Sequence, residues 1–113
     1  KEGSHVNAAG SNHWMRAEID EKTVTRSSLI VVDDLEQAKA ECGDLLLAEA
    51  RGTFRWDMAR ELRDVIGGRV SNPSLSGGIT LFESMGVALE DIAAAQLVYY
   101  KAVDQGIGDQ LPF

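Results

Sequence analysis

The chain has 113 residues, 18 acidic against 11 basic side chains, and a formal net charge of −7. It is long enough for one domain with a real core and no more. No Lys/Arg cluster meets phosphates and no apolar run approaches the ~20 residues of a membrane span, which argues against nucleic-acid and membrane partners.

A solvated acidic surface accounts for the charge. Cys42 is the lone cysteine, so no internal disulfide can form, and a cytoplasmic, reducing setting fits. Lys1-Glu2-Gly3-Ser4 has no apolar h-region and reads as a turn cut from a longer chain, with about one larger domain missing upstream.

His5-Val6-Asn7-Ala8-Ala9-Gly10 suits a buried parallel strand whose small residues let a ligand approach the backbone. Gly10–Trp14 is a loop at its carboxyl end. Glu18–Val24 suggests one or two helical turns with acids at the start, broken by Ser27-Ser28. Leu29-Ile30-Val31-Val32 is the plainest strand. Asp33-Asp34 ends it, and either residue can cap the helix Leu35–Cys42.

Gly43-Asp44 reads as a helix stop and a new cap, and Leu45–Ala50 as a short apolar helix. Trp56-Asp57 opens a helix in which Met58, Leu62, Val65 and Ile66 fall on one face. Gly67-Gly68 closes it. On this reading Glu61 and Asp64 lie on the helix's polar face and need no function. Arg69–Gly78 is a polar loop, by composition the most mobile interior segment. Ile79, Leu81 and Phe82 form a strand, Ser84-Met85-Gly86 a sharp turn, and 86–102 a long helix that is apolar on almost every side from Ile92 to Tyr100. Such a helix is buried or covered by a partner. The order of elements favours a parallel sheet of about three strands with flanking helices.

The stretch ITLFESMGVALEDIAAAQLVYYKA resembles the last strand and helix of the ornithine cyclodeaminase/μ-crystallin family. HVNAAGSN, VVDDLEQAKAECGDLL and ELRDVIGGRV resemble further family segments in the right order, and GIGDQLPF its chain terminus. The resemblance covers nearly the whole chain but only the last third of a family member. It implies an α/β fold that is the C-terminal part of a Rossmann-like sheet. Residues 1–85 would belong to the dinucleotide-binding domain, and 86–113 would form a helix and tail packing toward a substrate domain. It implies NAD or NADP as cofactor, a small amino-acid or imino-acid substrate, and a homodimeric parent.

No G-x-G-x-x-G fingerprint occurs, so on this resemblance the phosphate-binding turn, the catalytic lysine and the substrate-clamping arginines lie upstream. Val6, Asn7, Arg16 and Ser84 would be cofactor-binding. Asn12 and Met85 would face the substrate. Asn12 matches a cyclodeaminase aspartate that handles a proton. An amide cannot take that proton near neutral pH, which tilts the expectation toward hydride transfer by a ketimine reductase or an alanine-dehydrogenase-like enzyme. An ornithine cyclodeaminase and a non-catalytic μ-crystallin-like binding protein are the alternatives. Each residue also has a plainer role: Asn12 as an Asx-turn, Arg16 as a solvated loop cation, Ser84 as the N-cap of helix 86–102, and Met85 as core filler. Capping explains Asp33-Asp34 and Glu90-Asp91, and His5 and His13 lack the spacing of metal ligands.

Overall fold

The computed structural model describes residues 1–71 and 77–112. Strands β1 (His5–Ala8), β2 (Ser27–Val32), β3 (Ala59–Glu61) and β4 (Ile79–Glu83) form one sheet in the order β1-β4-β2-β3. Every neighbouring pair is parallel. Helices α1 (Glu21–Arg26), α2 (Leu35–Glu41), α3 (Gly43–Ala50), α4 (Leu62–Ile66) and α5 (Ala88–Gln105) fill the connections and the C-terminal region.

The register assigns the two faces. Val6, Leu81, Ile30 and Ala59 form one cross-strand row, and Ala8, Glu83, Val32 and Glu61 form the next on the same face. Val24 of α1, Ala38 of α2, and Leu45 and Ala48 of α3 pack into the core on that face, together with Phe54. Burying side chains the size of Ile30, Leu45, Phe54 and Leu81 stabilises by about 1.5–3 kcal/mol each, and all four are essentially inaccessible. The intervening row of Asn7, Phe82, Val31 and Arg60 occupies the opposite face.

Local chemistry sets the helix starts. The Asp20 carboxylate accepts from Thr23 N–H at 2.8 Å and caps α1; Asp34 does the same for α2 through Gln37 N–H at 2.8 Å. The first helix therefore begins at Glu21 rather than near Glu18, and β2 starts as soon as it ends. Gly43-Asp44 is the first turn of α3 and not a break before it. Of the loop expected over Arg69–Gly78, residues 72–76 lie outside the described residues.

The largest departure lies at residues 56–66. A 3-10 turn Trp56–Met58 leads into β3 and only then into α4, where the apolar spacing predicts one helix. The free edge of β2 is the reason. Ala59, Arg60 and Glu61 pair with Ile30, Val31 and Val32, and this long-range ladder outweighs a weak local helical preference. Among the described residues the sheet accordingly has four strands, where the order of elements predicts about three. Glu61 is the last residue of β3, only 8% exposed. It accepts from Leu35 N–H at 3.3 Å and pairs with Arg63, so it does not lie on a solvated helix face.

Helix α5 begins at Ala88 behind Val87, which makes no side-chain cap, and stops at Gly106, whose φ of +64° is left-handed. It contains no buried residue. Leu89, Ile92, Leu97, Val98, Tyr99 and Tyr100 are all exposed. Among the described residues no helix is long and apolar enough to cross a membrane.

Candidate functional site

Because all strands run the same way, the segments after β1, β2 and β4 emerge at one edge of the sheet. Clefts outside the carboxyl ends of parallel strands are where such sheets hold ligands. Here the edge carries a cleft of about 240 Å³ lined by Ala9, Gly10, Asn12, Ser84, Met85 and Gly86. Two larger depressions lie elsewhere. One, of about 360 Å³, is lined by Ser28, Met58, Arg60 and Arg69. The other, of about 450 Å³, lies between Asp20, Lys22 and Arg51.

One wall of the cleft is the turn after β4. Ser84 N–H continues the ladder to Ala8 O at 2.9 Å. A single oxygen, Asp33 Oδ2 at the end of β2, then accepts from Ser84 Oγ–H at 3.1 Å, Met85 N–H at 2.8 Å and Gly86 N–H at 2.7 Å. Gln37 Nε2 donates to Gly86 O at 3.2 Å. Gly86 has φ of +79°, a conformation that side chains disfavour. The Asp33-Asp34 pair thus divides its work: Asp34 caps α2, and Asp33 locks the turn. Ser84 does not cap α5, whose N-cap is Val87.

The other wall is the loop between β1 and α1. Gly10 N–H donates to Glu18 Oε1 at 2.7 Å. Glu18 N–H and Ile19 N–H both donate to Asp44 Oδ1, each at 3.0 Å. Within the loop, Arg16 N–H reaches His13 O at 2.9 Å, and the His13 and Trp14 rings stack with centroids 6.0 Å apart.

Beneath both walls sits a buried acidic group that sequence reasoning passed over. Glu83 is wholly inaccessible (0% exposed) and its Oε1 has no hydrogen-bond partner among the described residues. Cys42 Sγ–H points at its Oε2 from 3.7 Å. Burial, with the charge of Asp44 behind it, pushes the Glu83 carboxyl up to about 8. Burial likewise pushes the Cys42 thiol up, with Glu83 second among the causes. Asp44, 5% exposed, is raised by burial against the pull of the Ile19 and Glu18 amides. A signal for Glu83 was present: strand residues two apart share a face, and Glu83 follows core Leu81 by two. Asp44 carried no such signal, because its partners are 25 and 26 residues away in sequence.

Of the residues singled out from the sequence, Asn12, Ser84 and Met85 meet at the one cleft. Asn12 is exposed and Ser84 half-buried. Met85 is 5% exposed and belongs to the core as well as to the cleft lining. Arg16 is exposed on the adjacent loop and makes no ion pair among the described residues. Val6 and Asn7 are not brought to the cleft. Val6 packs against the core and borders a pocket with Ser4 and Ile79, while the Asn7 amide oxygen is bonded to His5 Nε2 at 2.9 Å.

The model of the ornithine cyclodeaminase/mu-crystallin family matches residues 1–106. The chain is 33% identical to a Delta(1)-pyrroline-2-carboxylate reductase of Bacillus cereus, covering all of this chain and 35% of that protein. It is 38% identical to the ketimine reductase mu-crystallin of Mus musculus over 88% of this chain and 29% of that one. In three dimensions it is similar to the Thermococcus litoralis Delta(1)-pyrroline-2-carboxylate reductase solved with NADH and L-proline. The TM-score is 0.82 at 34% identity, covering 97% of this chain and 34% of that structure. The chain therefore spans about a third of the length of the curated relatives it matches, 35% for the first of them.

Proposed function

Because the chain belongs to the ornithine cyclodeaminase/mu-crystallin family, we propose that it forms the nicotinamide side of the cleft in a longer NAD- or NADP-dependent oxidoreductase. Its substrate would be a small amino acid or cyclic imino acid, exchanging hydride at the α-carbon. The observation that carries this reading is the meeting of Asn12, Ser84 and Met85 in one cleft at the carboxyl edge of a parallel sheet.

The residues present suit a nicotinamide. Ser84 Oγ gives its hydrogen to Asp33, which leaves the oxygen's lone pairs to accept from a carboxamide N–H. Gly10 and Gly86 keep both walls low, and Met85 adds an apolar, polarisable floor. When bound, the dinucleotide supplies or receives the hydride. Asn12, with an amide donor and acceptor, orients the amino- or imino-acid across the cleft. It cannot itself take up a proton near neutral pH, so the proton that accompanies hydride transfer comes from another group or from water. Arg16, exposed on the same loop, would pair with a phosphate or carboxylate. Val6 and Asn7, which lie outside the cleft, act only by pairing β1 with β4 and so holding the strand whose end opens into it.

In the same reading, residues 1–85 are part of a Rossmann-like domain, and 86–113 pack against the substrate domain of a homodimeric, cytoplasmic parent. The exposed apolar surface of α5 supports this arrangement. The test is to assay the natural protein that carries this chain with ornithine, and separately with a cyclic imino acid and reduced cofactor. Cofactor oxidation by the imino acid with little ammonia from ornithine is expected. Robust ammonia release from ornithine would overturn the proposal in favour of a cyclodeaminase.

A further inference from the structure

The loop that presents Asn12 and Arg16 is held at two points. Glu18 Oε1 closes its ends on each other by accepting from Gly10 N–H at 2.7 Å. Asp44 Oδ1 then fastens the closed loop to α3 by accepting from Glu18 N–H and Ile19 N–H, each at 3.0 Å. Contact at this point is close: a Cβ on Gly43 would collide with the carbonyl oxygens of Arg16 and His13. Neither Gly43 nor Asp44 lines the cleft.

Asp44 is an unusual choice for mere packing. It is 5% exposed, and no cation pairs with it among the described residues. The titratable groups facing it are Glu83 on β4, Glu18 in the loop and Cys42 at the junction of α2 and α3, none of which is cationic. A buried carboxylate without a cation is costly unless its hydrogen bonds compensate. The compensating bonds here come from the loop backbone, and bonds to a charged acceptor are the stronger kind.

We propose that Asp44 is a positioning residue: from the buried first turn of α3 it fixes the loop that carries Asn12 and Arg16, and so sets the substrate-facing wall of the cleft. The functional half of this statement rests on the hydride-transfer reading above; the structural half does not. A displacement of about 1 Å at a wall of this kind costs roughly 100-fold in kcat/KM.

The test uses Asp44→Ala, Asp44→Asn and Glu18→Ala in the natural protein that carries this chain. Three properties are measured: amide hydrogen exchange at Gly10, Glu18 and Ile19, with Ile30 and Leu81 as sheet controls; the KM and kcat for a cyclic imino acid; and the affinity for reduced dinucleotide. Asp44→Ala is expected to speed exchange in the loop alone and to raise the imino-acid KM by roughly 10- to 100-fold, with a smaller fall in dinucleotide affinity through the displaced Arg16. Asp44→Asn keeps the Oδ1 acceptor and is expected to restore both loop exchange and KM. Glu18→Ala, an exposed position, reads the Gly10 closure separately. If Asp44→Ala does not fold, the unmodified protein decides: slow exchange at Glu18 and Ile19, close to that of Ile30 and Leu81, supports the latch, and exchange as fast as at exposed loop amides overturns it. Unchanged loop exchange and KM in Asp44→Ala overturns it, as does faster exchange at the sheet controls Ile30 and Leu81 in step with the loop. If the unmodified protein turns over no imino acid, the hydride-transfer reading fails, and the exchange data still decide whether Asp44 holds the loop.

Discussion

Glu83→Gln is the substitution whose outcome the structure specifies most sharply. The folded chain holds the Glu83 proton with a pKa of about 8, against 4.5 for an ordinary glutamate. Between those values the folded state binds more protons than the unfolded one, so stability falls as pH rises. The contribution is intact below pH 4.5 and is lost as pH climbs toward 8. Between pH 5 and pH 8.5 the loss is on the order of 4 kcal/mol, at about 1.4 kcal/mol per pH unit. Asp44, also raised by burial, adds a slope of the same sign to both proteins. The Cys42 thiol, raised further above its usual value, stays neutral throughout this range.

Glutamine keeps the shape of the neutral acid and cannot ionise. Its amide hydrogens find little at Oε1's position, where no partner is present among the described residues, and that costs about 1–2 kcal/mol at any pH. The variant should therefore be slightly less stable than the parent at pH 5 and more stable by about 2–3 kcal/mol at pH 8.5. Urea denaturation at pH 5, 7 and 8.5 reads this as two stability curves that cross. Parallel curves would mean that Glu83 is ionised in the folded protein, and the account of the buried acid would be wrong.

Three other outcomes are expected. Asp33→Ala removes the one acceptor shared by Ser84, Met85 and Gly86 and should cost about 2 kcal/mol in urea denaturation, with Asp33→Asn costing less because an acceptor remains. Gly43→Ala drives a Cβ into the backbone carbonyl of Arg16. It should destabilise by about 1–3 kcal/mol, and the displaced 13–16 segment should show shifted amide resonances. The exposed apolar surface of α5 should make the 113-residue chain self-associate, and Ile92→Lys combined with Leu97→Lys should lower its scattering mass while changing its stability by less than about 0.5 kcal/mol each.

What the sequence made legible, and what it concealed, divides along one line: the range of the deciding interaction. Strand β1 is short and mostly of small residues, β2 and β4 are apolar runs carrying β-branched residues, all three have clear ends, and α2 follows its Asp34 cap. These are local signals, and the structure places the elements within a few residues of them. The cleft was legible in outline for the same reason, since parallel strands must deliver their carboxyl ends to one edge. Strand β3 was hidden because Ala59-Arg60-Glu61 has no strand pattern of its own and forms only against the edge of β2. Asp33 and Asp44 look like ordinary helix-start acids in the sequence. Their actual partners are about 50 and 25 residues away, beyond any window in which capping is read.

Those two aspartates give the cleft a mechanical character that its loops alone would not have. The turn 84–86 and the loop 9–20 are surface segments, and surface segments unsupported by the core are usually the first to open. Here each is clamped by a carboxylate on a rigid element, Asp33 at the end of β2 and Asp44 in the first turn of α3. Between these clamps lies Glu83, on the central strand β4 and buried as a neutral acid at neutral pH. Ionising Glu83 would set a charge beside Asp44 in a region without cations among the described residues, weakening the clamp on the loop first. The turn's clamp draws on Asp33, for which Glu83 is not a neighbour by hydrogen bond. Rising pH is therefore expected to loosen the Asn12 wall before the Ser84 wall. A uniform loss of protection across both walls would mean that the two clamps act as one.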